Sequence, residues 1–390
     1  MIDKSTANSF SRRTLIGGVT AAAIAAGTAP AASATARAAS NTGTQHRTRT
    51  HIALLGTGGG PTLHSGNDRL GIASAVVVGD RYYLVDAGHG IYQQLSRAKL
   101  GGWNKKPSQP LDSLRAVFLT HLHSDHVVDL NSLFSSGLYS GLVSADLPIR
   151  LIGPGNRRQL PPVFGGGQEP PVVAAENPTP GTVEMWEGLV RAFATDFNDR
   201  SRDNLMPTPQ QTVLAKDIEL PEALTADPNA NPHPEMDPID VYEDDRVRVS
   251  AILVQHAPIF PAFAYRFDTD DGSVVFSGDT GPSDNLVKLA QGADVLVHEV
   301  IAREAIEQAY PAPRSAPQEA LVRHLLEAHT TIEDVGPLAE RAGVGSLVLH
   351  HFVPADWPDR FWKKAQAGFS GDLVIGRDLD IINVPARRRR

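Results

Sequence analysis

The sequence predicts an α/β protein that holds metal ions at one edge of a β-sheet. Short apolar runs, ended by Gly and Asp turns, alternate with helical patterns along most of the 390 residues. Metal-competent side chains follow several of these runs, and the densest group is Thr-His-Leu-His-Ser-Asp-His at residues 120–126. A hydrophobic content of 41% is enough for a sizeable core.

The composition narrows the kind of metal site. The chain has no cysteine, so any ion must be held by histidines and carboxylates rather than by thiolates. The formal net charge of −8 gives no general attraction to nucleic acid. Beyond the amino terminus, the sequence has no apolar run near the roughly 20 residues of a membrane span, so we expect no membrane anchor.

Residues 1–38 have the pattern of a cleaved export signal of the twin-arginine type. Arg12 and Arg13 precede an apolar Leu-Ile pair and an Ala-rich run with several Ala-x-Ala sites. We expect cleavage between Ala34 and Ala39, and a periplasmic or secreted location.

The remaining chain, residues 51–384, is predicted to be one domain, followed by a solvated basic tail at residues 385–390. Helices are predicted at residues 91–100, 182–194, 317–329 and 331–343. Strands are predicted at residues 51–60, 72–80, 81–88, 114–120, 147–155, 246–255, 262–268, 272–279, 293–299 and 346–352. The Pro-rich, acidic segment at about 197–245 is predicted to be an irregular insertion over the core.

Potential metal ligands follow the strands in a definite order. His121 and His123 stand two apart and can face one ion, while Asp125 and His126 can serve a second ion. Each of three later apolar runs also ends in a potential ligand, and these are His256, Asp279 and His351. A two-metal site needs a bridging carboxylate, and this set of residues contains aspartates.

These motifs together resemble the metallo-β-lactamase fold superfamily, and in detail its branch with ribonuclease Z and the zinc-type arylsulfatases. The resemblance rests on His-x-His-x-Asp-His, the Ser-Gly-Asp-Thr turn and the final strand-end histidine, together with "LLGTGGGP", "YLVDAG", "HEV" and "HTT". It covers residues 51–384. It implies a four-layered αββα sandwich with the metal site at the strand-end edge.

The resemblance also implies ligands for two Zn²⁺ ions. One ion would be held by His121, His123 and His256. The other would be held by Asp125, His126 and His351, with Asp279 bridging. His351 is favoured over His350, whose contribution is left open. Asp86 is expected to orient a ligand histidine, although an ordinary turn aspartate is the alternative.

Three residues are expected to act in catalysis: Asp125, Glu299 and His329. By resemblance, Glu299 orients His329, and His329 assists departure of the leaving oxygen. The alternative for His329 is a capping residue before the following helix.

These features favour an exported dinuclear zinc hydrolase of small-molecule esters, similar to arylsulfatases, with no nucleic-acid partner. The segment "ATDFNDRS" at 194–201 resembles arylsulfatase-type members. A ribonuclease Z-type endonuclease is disfavoured because residues 200–248 hold 11 Asp/Glu against 5 Lys/Arg, and because only 22 residues separate His256 from Asp279. A phosphodiesterase, a lactonase, a β-lactam hydrolase and a metal-binding protein without turnover remain alternatives, and a homodimer is left open.

Overall fold

The structure is a computed structural model that describes residues 50–62, 66–103, 109–146 and 148–385. The export signal predicted at residues 1–38 and residues 386–390 of the predicted tail lie outside these ranges. Within the described residues, no helix combines the length and the apolar character needed to cross a membrane.

The described residues form fourteen strands. In chain order they are β1 (Thr50–Gly56), β2 (Ala73–Val78), β3 (Arg81–Val85), β4 (Leu114–Phe118), β5 (Ile149–Pro154), β6 (Val213–Ile218), β7 (Ile239–Glu243), β8 (Val247–Leu253), β9 (Phe263–Thr269), β10 (Ser273–Phe276), β11 (Val295–Ile301), β12 (Ser346–Val353), β13 (Asp372–Ile375) and β14 (Ile381–Asn383).

Twelve α-helical segments connect or flank these strands in the same part of the chain. They are α1 (Ile91–Ala98), α2 (Ser124–Val127), α3 (Leu130–Ser135), α4 (Thr182–Ala192), α5 (Ala194–Asp203), α6 (Pro209–Thr212), α7 (Glu222–Thr225), α8 (Asp284–Ala290), α9 (Arg303–Ala309), α10 (Ala316–Glu327), α11 (Ile332–Ala342) and α12 (Asp359–Trp362).

The strands form two seven-stranded sheets. The first has the order β14-β1-β2-β3-β4-β5-β6, and the second has the order β13-β12-β11-β10-β9-β8-β7. In the first sheet, β3, β4, β5 and β6 run parallel, and in the second, β10, β11, β12 and β13 do so. The two sheets and the helices confirm the predicted α/β sandwich.

Side chains on both faces of the first sheet are buried, each face in a different core. Ile52 and Leu54 of β1 belong to the core that the first sheet shares with the second. Ala53 and Leu55, which alternate with these two residues, pack instead into a separate core with helices α1, α3 and α4. Because successive side chains of a strand point to opposite faces, this strand is apolar throughout and buried on both sides.

The strand directions explain why distant residues meet at one edge. β8 is antiparallel to β9, and β9 is antiparallel to β10, so β8 and β10 point the same way. β11 and β12 run parallel to β10. The carboxyl ends of β8, β10 and β12 therefore share one edge, and His256, Asp279 and His351 lie there.

The segment 197–245 is more regular than expected. It contains helices α6 and α7, and it supplies β6 at the edge of one sheet and β7 at the edge of the other. Backbone pairing with β5 and β8 holds these two strands, although their sequences are too polar to predict strands. Strands β13 and β14 were also not predicted.

Candidate metal centre

The first histidine cluster lies where the turn after β4 meets the end of β8. Ring nitrogens of His121, His123 and His256 lie within 4.8 Å of one another. Nδ1 of His256 lies 2.9 Å from the Ala328 carbonyl, to which it donates, and this leaves Nε2 for the cluster. Burial lowers the pKa of His121 and of His256 well below the usual histidine value, so both rings are neutral. Neutral imidazole is the form that binds a metal ion.

The second cluster contains Asp125, His126, Asp279 and His351. Nε2 of His126 lies 3.5 Å from Oδ2 of Asp125, 3.3 Å from Oδ2 of Asp279 and 3.3 Å from Nε2 of His351. Nε2 of His351 lies 3.5 Å from Oδ2 of Asp125 and 3.2 Å from Oδ1 of Asp279. Asp125 and Asp279 therefore both place carboxylate oxygens next to the ring nitrogens of His126 and His351.

These separations match those of a tetrahedral zinc site. Donors at 2.0–2.2 Å from a tetrahedral ion lie about 3.3–3.6 Å apart. Asp279 also connects the clusters, since its Oδ2 lies 3.8 Å from Nε2 of His121. The buried Nε2 atoms of His121 and His256 have no hydrogen-bond partner among the described residues. An unsatisfied buried nitrogen is costly, and a metal ion would satisfy both atoms. The donor set thus fits divalent metal ions.

Asp86 orients His126 of the second cluster. Its Oδ2 lies 2.8 Å from Nδ1 of His126, and it also accepts from the Thr120 hydroxyl at 2.9 Å. Its Oδ1 accepts the Thr120 backbone N–H at 2.8 Å. These contacts orient the His126 ring with Nε2 toward the cluster, as a carboxylate behind a metal-binding histidine does. The predicted orienting contact is present.

A β-bulge selects His351 rather than His350 for the site. Glu299 of β11 pairs with His350, but the next residue, Val300, pairs with Phe352, so His351 is the extra residue. His351 has φ of 45°, a backbone conformation rarely adopted outside glycine. The same region needs a glycine at position 59, because a Cβ there would lie 2.5 Å from Nδ1 of His351.

Glu299 and His329 form a buried pair beside Asp279. Nδ1 of His329 lies 3.0 Å from Oε1 of Glu299, and the same oxygen accepts the backbone N–H groups of Thr280 and Thr330 at 3.0 and 3.2 Å. Burial opposes protonation of His329, but the Glu299 carboxylate outweighs it and raises the pKa of His329 to about 9. His329 is therefore a cation at neutral pH and can donate a proton at the site.

One further histidine at the site was not predicted from the sequence. His324, on α10, has a ring nitrogen within 4.8 Å of those of His256 and His329. Burial, together with the neighbouring His329 and His123, lowers the pKa of His324 to about 4, so the ring is neutral. No sequence signal pointed to His324, because it lies inside a helix and reaches the site only through packing of α10.

Comparison with known proteins places the chain in a family. A model described as "Metallo-beta-lactamase superfamily" matches residues 68–191, and one described as "Beta-lactamase superfamily domain" matches residues 205–352. A Mycobacterium bovis protein named ribonuclease Z is 31% identical over 343 residues, which are 86% of this chain and 99% of the relative. The chain belongs to the metallo-β-lactamase superfamily, in its ribonuclease Z branch.

Further matches agree with this superfamily. A Mycobacterium marinum ribonuclease Z is 29% identical over 86% of this chain and 99% of its own. A metallo-β-lactamase fold protein from Bacillus subtilis matches with a TM-score of 0.52 at 17% identity, over 85% of this chain and 98% of its own. The short form of human tRNase Z matches with a TM-score of 0.51 at 18% identity, over 86% and 99%. These two structures show the shared fold.

Membership of the metallo-β-lactamase superfamily makes the chain a metal-dependent hydrolase. The named relatives correct the predicted function. The prediction of an arylsulfatase-like hydrolase of small esters with no nucleic-acid partner is wrong, because the relatives at 29–31% identity over nearly their full length are named ribonuclease Z. Export stays a prediction.

The structure shows why the charge argument failed. The acidic segment was treated as one surface, yet β6 and β7 lie on different sheets. Several of its carboxylates also have structural partners. Asp217 accepts the backbone N–H of Val183 at 2.9 Å, Asp244 accepts the hydroxyl of Tyr83 at 2.7 Å, and Asp245 pairs with Arg81. A count of charges along the sequence therefore gives no measure of the field at the metal site.

Proposed function

We propose that this protein is a metal-dependent phosphodiesterase that cleaves RNA, of the ribonuclease Z type. The observation that carries the proposal is the buried His329–Glu299 pair beside the two ligand clusters, in a chain 31% identical to a ribonuclease Z over 99% of that relative. A site that only stores metal has no need of a buried, protonated histidine next to its ligands.

We infer that the clusters hold two zinc ions. His121, His123 and His256 would hold one ion, Asp125, His126 and His351 the other, and Asp279 would bridge them. Zinc ions in such sites supply a water of lowered pKa as the nucleophile and neutralise charge on the reacting phosphate. Asp125 would act by holding its ion, and Asp86 fixes the orientation of His126.

His329 supplies the proton that the departing oxygen needs. Hydrolysis of a phosphodiester leaves an alkoxide of ribose, a poor leaving group unless a proton reaches it. Glu299 engages Nδ1 of His329, so Nε2 is the nitrogen that faces away from this carboxylate. Glu299 is a positioning residue, since it holds the imidazole and keeps it charged.

The cavities around the site suit an extended substrate. A cavity of about 430 Å³ and one of about 360 Å³ meet at Asp125 and share the wall formed by Gly59–Thr62. A third cavity of about 210 Å³ is also lined by His123. A phosphodiester in a polymer continues on both sides of the bond that is cut, and three cavities adjoin this site.

We also propose that residues 1–38 direct export of the protein. The support is in the residues themselves, namely Arg12-Arg13 followed by an apolar pair and an Ala-rich run with Ala-x-Ala sites. An exported enzyme of this type would act on RNA outside the cytoplasm.

A substrate panel tests the proposed function. Zinc-loaded protein is incubated with a precursor tRNA that has a 3′ extension, with an unstructured RNA, with an aryl sulfate and with a β-lactam. We expect the protein to cleave RNA. We expect it to turn over the aryl sulfate and the β-lactam more slowly by orders of magnitude. Cleavage of an aryl sulfate or a β-lactam without cleavage of either RNA would overturn the proposal.

A further inference from the structure

The cavity of about 430 Å³ is lined by two unlike groups of residues. One group belongs to the metal site and includes His123, Asp279 and His329. The other group comes from α9, from Tyr310 after it, and from α10, whose Leu321, His324 and Leu325 recur at the spacing of one helix face. A cavity of this size, with an apolar wall and a few polar groups, is typical of a small-molecule or nucleoside subsite.

The apolar wall is a defined part of the fold. Ile301, Ile306 and Val322 form a small core of their own between β11, α9 and α10, with Tyr310 and Leu325 packed against it. The two helices therefore present a supported surface to the cavity. Leu321 remains 39% exposed at its mouth, although it is a large apolar residue.

The charge of the wall indicates which part of a nucleotide it fits. The described residues that line this cavity include no lysine or arginine. Apart from His329 at the metal site, a phosphate in this cavity would find no cationic side chain among these residues. A nucleobase is flat, largely apolar on its faces and neutral, with hydrogen-bonding groups on its edge, and this description matches an apolar wall with one imidazole.

His324 is the imidazole that this wall contributes. His324 has its ring centroid 5.7 Å from that of His329 and 6.2 Å from that of His123, so it lies beside the metal site. No hydrogen-bond partner of its side chain is found within the described residues, and an imidazole can both donate to and accept from a base edge.

We propose that this cavity receives the nucleobase on the leaving-group side of the scissile phosphodiester, with the base against Leu321 and Leu325 and its edge at His324. The proposal rests on the proposed function. The leaving-group side is assigned because His329, which supplies the proton to the departing oxygen, lines this cavity. The apolar contact is tolerant of base identity, while His324 gives some preference among bases.

Cleavage of two matched RNAs tests the proposal. They differ only in the nucleotide on the leaving-group side, which is normal in one and abasic in the other. Stacking of one base contributes enough for loss of the base to lower kcat/KM by roughly tenfold or more in the wild-type protein. Leu321→Ser and His324→Ala should each bring the ratio of the two rates toward one. Glu319→Gln, at an exposed position on the same helix, should keep the wild-type ratio.

A binding measurement separates this proposal from the proposed function. Calorimetry compares adenosine 3′- and 5′-monophosphates with ribose 5-phosphate on the zinc-loaded protein. We expect at least one nucleotide to bind roughly tenfold tighter than the sugar phosphate, and Leu321→Ser to remove the difference at unchanged zinc content. If a nucleotide binds tighter than the sugar phosphate but the protein cleaves no RNA, the proposed function is refuted and the base site stands. Equal binding of the nucleotides and the sugar phosphate would overturn the base site. A ratio of the two cleavage rates that stays at the wild-type value in both Leu321→Ser and His324→Ala would also overturn it.

Discussion

Nδ1 of His329 lies 3.0 Å from Oε1 of Glu299, and both side chains are buried next to Asp279. The same Glu299 oxygen also holds the backbone of the Thr280 turn and of the Thr330 turn. One carboxylate therefore fixes a metal-site loop and the proton-donating loop relative to each other. The first two predictions concern this pair.

We expect His329→Ala to retain its metal and to lose activity. His329 lies outside the proposed ligand set, so zinc content should be unchanged, while kcat for RNA should fall by roughly 10²–10⁴-fold because no proton reaches the leaving oxygen. The loss should be small for bis(4-nitrophenyl) phosphate, whose leaving group departs without a proton. Elemental analysis and kcat for both substrates check this. Equal losses on both substrates would make His329 a structural or substrate-positioning residue.

Glu299→Gln should shift the alkaline limb of the pH–rate profile to lower pH. In the wild type, the carboxylate raises the pKa of His329 to about 9, so the acid form is present at neutral pH and is lost as pH rises through that value. The amide keeps the shape of the side chain and removes the charge that sustains the raised pKa. Profiles of kcat for RNA check this. A limb at the same pH in both proteins would exclude His329 as the group responsible.

Asp86→Asn should weaken metal binding without unfolding the chain. Replacing the carboxylate that accepts from Nδ1 of His126 removes the partner that orients this ring. Loss of such a partner typically lowers metal affinity by roughly 10–100-fold. Competition with a zinc chelator measures the affinity, and circular dichroism follows the fold. Wild-type affinity in the variant would mean that the Asp86 contact serves only the turn.

Gly59→Ala should disturb the second ligand cluster. The added methyl would lie 2.5 Å from Nδ1 of His351, so the ring must shift from its present place beside Asp125 and Asp279. Zinc content should fall, with activity falling in parallel. Gly188→Ala, within α4 and with open space around the new methyl, is the matched control. It should keep its zinc and gain up to about 1 kcal/mol of stability. Equal zinc content in the two variants would refute the steric argument.

Replacement of Arg12 and Arg13 by lysines tests the proposed export signal. The twin-arginine hypothesis requires both guanidinium groups, so the variant should accumulate as unprocessed precursor in the cytoplasm. Cell fractionation and the mass of the amino terminus check this. Unchanged export would indicate another secretory route, and a wild-type chain that stays in the cytoplasm would refute the signal.

The positions of the clustered residues were predictable because several signals agree. His121, His123, His256, Asp279 and His351 each follow an apolar run, and strands that run the same way end at one edge of a sheet. The local sequence was therefore enough to predict that these residues lie together. Asp86 was predictable for the same reason, since it directly follows β3, which pairs with β4.

Other parts of the site depend on packing that the sequence does not display. The bulge that turns His351 toward Asp125 and Asp279 arises from the register between β11 and β12. His324 lies in the last turn of α10, and its distance from His256 is set by how that helix packs. β6 and β7 are polar edge strands whose order comes from their neighbours. The substrate was mispredicted because charges were counted along the sequence rather than located in space.

The most direct test of the central claim is cleavage of RNA in water enriched in ¹⁸O. If the metal site delivers water to the phosphorus and His329 protonates the leaving oxygen, zinc-loaded protein should cut the RNA. The new terminal phosphate should then contain one ¹⁸O by mass spectrometry, and chelation of zinc should abolish the product. A 2′,3′-cyclic phosphate without label would mean that the ribose hydroxyl is the nucleophile. No cleavage by fully zinc-loaded protein would contradict the account.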